Sequence, residues 1–480
     1  MNEREVIFKT ALASRSLLIL IQYISNTIIP DHEADAYHYP KSNANGVLNN
    51  LTTNLLGGFV RWDAQHFMHI SRYSYTYEHT LAFFPFYPLL VRFIALGLNN
   101  VIPFLNLDSL TLIMFIAINT FCFVQTALCL YELSLSIANK ELAYKASILF
   151  CYNPASVFFT APYTESIFCY LTFKSTLNCA LMYKKFSDAQ NKFQIRDVAY
   201  IVPICLSTLT RSNGVLNVGF LVYTLTCLYL EKLSLKKQIF NCLLCTIKFI
   251  TLTLFLIIVS ILPFVLFEFY SYKMFCNDFE SNIPATVLAH KDIEKFVLPG
   301  SFSKHNQSWC FKKIPLAYSY VQSHYWKVGF LQYYEFKQIP NFILASPIVF
   351  ILLEGALKYF NQFPKDFRSI FNLNLIKRKQ PPASKTQHNP VMIVFVVHST
   401  VLTIFCVLNI HVQVTTRMLC SASPVLYWFS AHYVSDLSKN NLFKKLFYKH
   451  CYPREYFILG YFLSYYVIGT VLFCNFLPWT

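Results

Sequence analysis

Long apolar runs separated by short polar gaps dominate this chain. A helix of about 20 apolar residues is long enough to cross the hydrocarbon core of a bilayer. On that criterion the pattern predicts spans at about 10–29, 110–133, 143–162, 164–183, 198–211, 214–230, 242–268, 341–360, 391–410, 416–434 and 456–477. Several are short or carry proline, namely Pro154, Pro162, Pro203 and Pro263. Such helices kink and need protein neighbours to satisfy the carbonyls they free. The expectation is an all-α polytopic bundle of about 11 transmembrane helices packed around a cavity. Residues 83–103 are apolar enough to cross, but Pro85, Pro88 and Arg92 mark them as re-entrant or interfacial. Two gaps, 30–82 and 269–340, are too long and polar to be simple turns. With no fixed-period repeat, residues 1–480 read as one membrane domain.

Composition agrees with the pattern. Of 480 residues, 55% are apolar, 18% aromatic and 13% charged, and the mean hydropathy is +0.41. A soluble domain carries roughly 25% charged residues. The net charge of +16 would suit nucleic acid, but the basic clusters sit in short gaps between apolar runs. Lys184-Lys185, Lys236-Lys237, Lys377-Arg378-Lys379 and Lys444-Lys445 with Lys449 follow the positive-inside rule for cytosolic loops, so no nucleic acid is expected. Loops 30–82 and 269–340 then fall in the lumen. The sequons Asn50-Leu51-Thr52 and Asn306-Gln307-Ser308 fall on that same side and are expected to be glycosylated. Arg4 and Lys9 ahead of the first apolar run suggest an uncleaved signal anchor. Most of the 15 cysteines lie in apolar runs, and Cys242-x-x-Cys245 reads as packing rather than zinc. Cys276 and Cys310 lie in the long polar loop. An oxidising lumen favours a disulfide between them, against two free thiols packed in the loop.

Residues 59–88 concentrate the chemistry. Arg61, Asp63, His66, His69, Arg72, Glu78 and His79 stand among Trp, Tyr and Phe. Ionisable groups are kept beside a bilayer only where they face water, protein or substrate. Asp63 and His66 share a helix face at i, i+3. Asp63 is either a general base beside an aromatic floor or half of a surface pair with Arg61. The histidines lack the spacing of a known zinc motif, and no metal is expected. Glu165, after Tyr163-Thr164, either caps a helix or binds an acceptor. Arg211, in Arg211-Ser212-Asn213-Gly214, either precedes a tight hairpin or contacts phosphate. Arg417, after His411-Val412-Gln413-Val414, either binds phosphate or snorkels to the interface. Trp326–Phe342 reads either as an interfacial aromatic belt or as a lumenal helix over the cavity.

These residues also carry a resemblance. Arg61-Trp62-Asp63-Ala64, Tyr77-Glu78-His79 and Phe83-Phe84-Pro85 resemble the first lumenal loop of the GPI mannosyltransferases of the PIG-V type. Four more blocks follow in the same order. They are Asn153-Pro154-Ala155-Ser156-Val157-Phe158 with Tyr163-Thr164-Glu165-Ser166, then Arg211-Ser212-Asn213-Gly214, then Trp326 through Phe342, then His411 through Arg417. The resemblance runs from residue 10 to the C-terminus. It implies a GT-C-class bundle in the endoplasmic reticulum membrane with lumenal loops forming the active site. The donor would be dolichyl-phosphate mannose, with no other cofactor. The acceptor would be a mono-mannosylated GPI precursor, extended by an α1,6-linked mannose with inversion. Asp63 would be the base. Arg61, Trp62, His66, Glu78, His79, Tyr163, Glu165, Arg211, Asn213, His411, Gln413 and Arg417 would bind substrate. A small accessory membrane subunit stays open. The alternatives are another dolichol-phosphate-sugar transferase, or a polytopic lipid or solute transporter. A transporter would place its polar residues at span centres, whereas here they cluster at one side.

Overall fold

The computed structural model describes residues 2–41, 46–187, 193–234, 239–290, 293–305, 307–364, 391–435 and 452–479. Asn306 and the basic clusters Lys236-Lys237, Lys377-Arg378-Lys379, Lys444-Lys445 and Lys449 lie outside them. The described residues form helices and turns, with one isolated bridge between Asp278 and Ser301. The protein is a multi-pass membrane protein. Among the described residues, seven helical segments are long and apolar enough to cross a bilayer: Glu3–Ile28, Leu107–Ile137, Ser212–Leu233, Cys242–Phe275, Phe336–Gln362, Met392–Asn409 and Pro453–Cys474.

The bundle is built on α1 (Glu3–Ile28) and α5 (Leu107–Ile137). Helix α5 packs along α6 (Lys140–Cys151), α7 (Glu165–Phe186) and α4 (Phe86–Asn99). Between α1 and α5 lie α2 (Val47–Leu56) and α3 (Asp63–Tyr73). Beyond α7 come α8 (Val202–Thr210), α9 (Val218–Ser234) and α10 (Ile239–Phe275). The second long loop contains α11 (Ala317–Trp326) and leads into α12 (Ile339–Gln362). The chain ends through α13 (Met392–Asn409), α14 (Thr415–Ala422), α15 (Val425–Tyr433) and α16 (Pro453–Cys474).

The expected span at 143–162 is not one helix. Helix α6 stops at Cys151, and Tyr152–Thr164 is a run of turns. Pro154 has no N–H to offer and forces the preceding residue out of helix. The freed carbonyls are satisfied by Arg15 of α1, which is buried. It donates to Cys151 O at 3.1 Å and Ser156 O at 2.9 Å, and its guanidinium lies 3.8 Å from the Phe123 ring centroid. Irregular backbone at membrane depth is tolerated where protein surrounds it in this way. The expected span at 416–434 is likewise broken, into α14 and α15, at Ser423-Pro424. The expected span at 198–211 is a 3₁₀ turn followed by the nine residues of α8, which begins at Val202-Pro203. Helix α4 has 14 residues, roughly 21 Å at 1.5 Å per residue, too short to cross.

The two long loops fold onto each other. Glu78 is buried and accepts from Trp309 Nε1 at 2.9 Å and from the Tyr325 hydroxyl at 2.8 Å. Cys276 and Cys310 are disulfide-bonded, with Cα atoms 5.6 Å apart. Ile70, Tyr75, Leu81 and Phe84 of the first loop share a small core with Phe275, Trp309 and Val321. This docking packs α11 against the 3₁₀ turn Glu78–Ala82.

Candidate active site

Helix α3 begins at Asp63, immediately after Trp62. Trp62 has φ 53° and ψ −127°, a conformation that strains a residue with a side chain. The turn it makes sends consecutive residues to different places. Trp62 and Asp63 line one cavity of about 350 Å³, while Arg61 faces a second, more polar cavity. The Asp63 backbone N–H donates to the Tyr163 hydroxyl at 3.1 Å.

The first cavity gathers four charges from four elements. Arg417, on α14, donates from Nη2 to Asp63 Oδ2 at 2.7 Å. Its Nη1 lies 3.8 Å from Glu165 Oε1. Glu165, at the start of α7, is also paired with Arg211, which donates to Thr164 Oγ1 at 3.2 Å. The chain Asp63–Arg417–Glu165–Arg211 is neutral in sum. Exposure sorts the two carboxylates. The Glu165 side chain is 0% exposed and faces both guanidinium groups, whereas that of Asp63 is 32% exposed. Asp63 Oδ1 has no hydrogen-bond partner among the described residues. Glu165 is therefore the hub of the charge chain, and Asp63 is the carboxylate open to a ligand. Neither reading of Glu165 made from sequence includes that role. Thr164 makes no capping hydrogen bond.

Around this cavity three buried N–H groups have no partner among the described residues: Trp62 Nε1, Asn213 Nδ2 and Arg417 Nε. All three residues line the cavity. Asn213 sits in the 3₁₀ turn between α8 and α9. The neighbouring glycine is required by close approach: a Cβ on Gly214 would lie 2.2 Å from Ser207 O. His411 stacks on Tyr333 with ring centroids 4.5 Å apart, and burial lowers its pKa below the ordinary histidine value. Gln413 accepts from the Tyr333 hydroxyl.

Nine of the residues proposed from sequence therefore converge: Trp62, Asp63, Tyr163, Glu165, Arg211, Asn213, His411, Gln413 and Arg417. Four do not. Arg61 is a clamp, donating to Cys474 O, Gly57 O, Asn26 Oδ1 and Asp31 and lying 4.6 Å from the Phe476 ring centroid. Glu78 is spent on Trp309 and Tyr325. His66 is stacked between Tyr37 at 4.5 Å and Phe83 at 4.7 Å. His79 packs against Phe296 and Tyr37. Asp63 stands at the helix tip, and by one turn later the aromatic loop has closed over the shared face.

Tyr318, Gln322 and Trp326 line the cavity from α11, and sequence reasoning missed the first two. Their spacing of i, i+4, i+8 puts them on one face of a helix, and that spacing was the available signal. The helix expected in 326–342 lies before it instead. Lys327 takes a left-handed conformation and ends α11, and Val328–Glu335 forms turns.

A polytopic helical protein with a paired carboxylate, two guanidinium groups and unfilled N–H donors in one aromatic-walled cavity has the equipment of a membrane-embedded group-transfer enzyme. The sequence comparisons specify the kind. The model of the family described as "Mannosyltransferase (PIG-V)" matches residues 3–480, and the chain belongs to that family. It is 33% identical to the GPI alpha-1,6-mannosyltransferase 2 of Homo sapiens over 514 residues, covering 99% of each chain. It is 34% identical to the GPI mannosyltransferase 2 of Drosophila pseudoobscura pseudoobscura over 487 residues, covering 99% of this chain and all of that one. Among solved structures it aligns with the archaeal oligosaccharyltransferase AglB from Archaeoglobus fulgidus at 12% identity and a TM-score of 0.43. That alignment covers 97% of this chain and 55% of the other, so the chain spans about half of that protein's length.

Proposed function

We propose that this protein is a GT-C-class enzyme that transfers an α1,6-linked mannose from dolichyl-phosphate mannose to a mono-mannosylated GPI precursor at the lumenal face of the endoplasmic reticulum. The names of its full-length relatives support the reaction. The observation that carries the mechanism is Asp63 held by Arg417 at the open end of a charge chain. The acceptor 6-hydroxyl gives its proton to Asp63 Oδ1 as its oxygen bonds to the anomeric carbon. The bond from that carbon to the dolichyl phosphate oxygen breaks, and the phosphate leaves with the electron pair. One displacement converts a β-linked donor into an α-linked product. The leaving charge is met by Arg211, Arg417 and the unfilled donors of Trp62 and Asn213, which are preorganised for an anion. The aromatic wall, with Trp326 and Phe83, aligns the sugar.

The test is mannose transfer by purified Asp63→Asn protein. Loss of a positioned base costs about 10²–10⁴ in rate. Transfer at the wild-type rate by the Asn variant would rule out Asp63 as the base.

A further inference from the structure

The second cavity, of about 550 Å³, lies on the other side of the Trp62 turn. Its walls are the end of α1 (Asn26), one face of α2 (Asn50, Thr53, Asn54), Lys41 and the start of α5 (Asn106). Two further charges at its edge are already spent. Arg61 is paired with Asp31, and Asp108 with Arg72. Lys41 has no ion pair among the described residues. The lining is thus mostly amides and hydroxyls with one available cation. Side-chain amides offer both donors and acceptors, which suits a polyol, and the ammonium suits a phosphate.

Helix α2 says where this cavity sits. Leu48, Leu51 and Leu55 are all exposed and fall on one face, opposite Asn49, Asn50 and Thr53. A helix with an exposed apolar face and a polar face lies in the membrane interface. Its polar face then borders the cavity at the depth of lipid headgroups. Arg61 and Asp63 are two residues apart, at most about 7 Å of chain. A headgroup of a few rings can therefore reach from this cavity over the turn to Asp63.

We propose that the cavity binds the phosphorylated polyol end of the glycolipid acceptor, its inositol phosphate, while the terminal mannose lies at Asp63. This rests on the function proposed above and adds the acceptor's anchoring subsite. It sets aside the expectation of a glycan on Asn50, because a glycan there would fill the mouth of the cavity.

The test uses the full chain in nanodiscs, with Lys41→Gln and Asn54→Ala beside wild type. Removing one such contact should raise KM for the glycolipid acceptor about five- to tenfold, with kcat and the KM for donor unchanged. Glycerophosphoinositol should compete with acceptor but not with donor, and the variants should weaken that competition by the same factor. Direct binding of labelled glycerophosphoinositol to wild type and variants tests the cavity even if no transfer is seen. Transfer by wild type with unchanged acceptor KM in both variants would overturn the subsite and leave the enzyme reading standing. Equal competition by inorganic phosphate alone would reduce the cavity to an anion site and overturn the proposal. So would an endoglycosidase-sensitive glycan on Asn50 of the active protein.

Discussion

At the scale of single residues, neighbours in sequence have separate jobs. Arg61 and Asp63 are two positions apart, yet one is a clamp and the other an open carboxylate. Their residue types were legible as candidate chemistry. The direction each side chain takes was not, because it depends on the strained turn at Trp62. Glu165 makes the same point. Sequence offered capping or acceptor binding, but the structure puts both guanidinium groups on one buried carboxylate. Glu165→Gln keeps the volume and removes the charge that separates Arg211 from Arg417. Breaking a buried pair costs about 3–5 kcal/mol. The variant should therefore lose both transfer and thermal stability, whereas Asp63→Asn should lose transfer with a much smaller fall in melting temperature. Melting curves of the two purified variants check this. A Glu165→Gln protein that melts with the wild type would show that the charge chain has another centre.

At the scale of elements, the site depends on two loops that meet. Trp309 and Tyr325 both donate to Glu78, and the disulfide holds the segment containing Trp309 to the end of α10. These contacts set α11 so that Tyr318, Gln322 and Trp326 roof the cavity. The polar–aromatic density of this region was visible in the sequence. The register was not: the helix ends at Trp326 rather than beginning there, because Lys327 turns left-handed. A bridge between cysteines 34 positions apart contributes about 3–4 kcal/mol in the chain-entropy model. Cys276→Ser with Cys310→Ser should lower the melting temperature and raise the KM for acceptor more than it lowers kcat. Thermal unfolding and initial rates measure the two effects. An unchanged melting temperature would mean that the loops' shared core alone sets the roof.

At the scale of the whole molecule, the apolar pattern identified a membrane bundle but overstated its regular helices. The runs at 143–162 and 416–434 look like spans by hydropathy. They break because Pro154 and Pro424 interrupt the helical hydrogen bonds, and Arg15, far away in sequence, makes the first break tolerable. No local pattern reveals a partner 136 residues distant. The histidines of the first loop carry the same kind of long-range information, and with it a dependence of stability on pH. His66 and His69 are buried, and burial lowers the pKa of each to about 3. His79 is lowered well below the ordinary value for the same reason. The unfolded chain protonates these rings near the ordinary value of about 6.5, whereas the folded chain keeps them neutral. Above pH 6.5 both states are neutral and the rings add no pH dependence. As pH falls from 6.5 toward 3, only the unfolded state takes up the protons, so stability falls by up to ~1.4 kcal/mol per pH unit for each histidine. His66 Nδ1 has no hydrogen-bond partner among the described residues, so His66→Phe removes one titrating ring without breaking a bond at that nitrogen. The melting temperature of the wild type should be flat above pH 7 and decline from pH 6.5 to pH 5, and His66→Phe should decline less steeply. Identical slopes for the two proteins would mean that His66 is not held neutral by the fold.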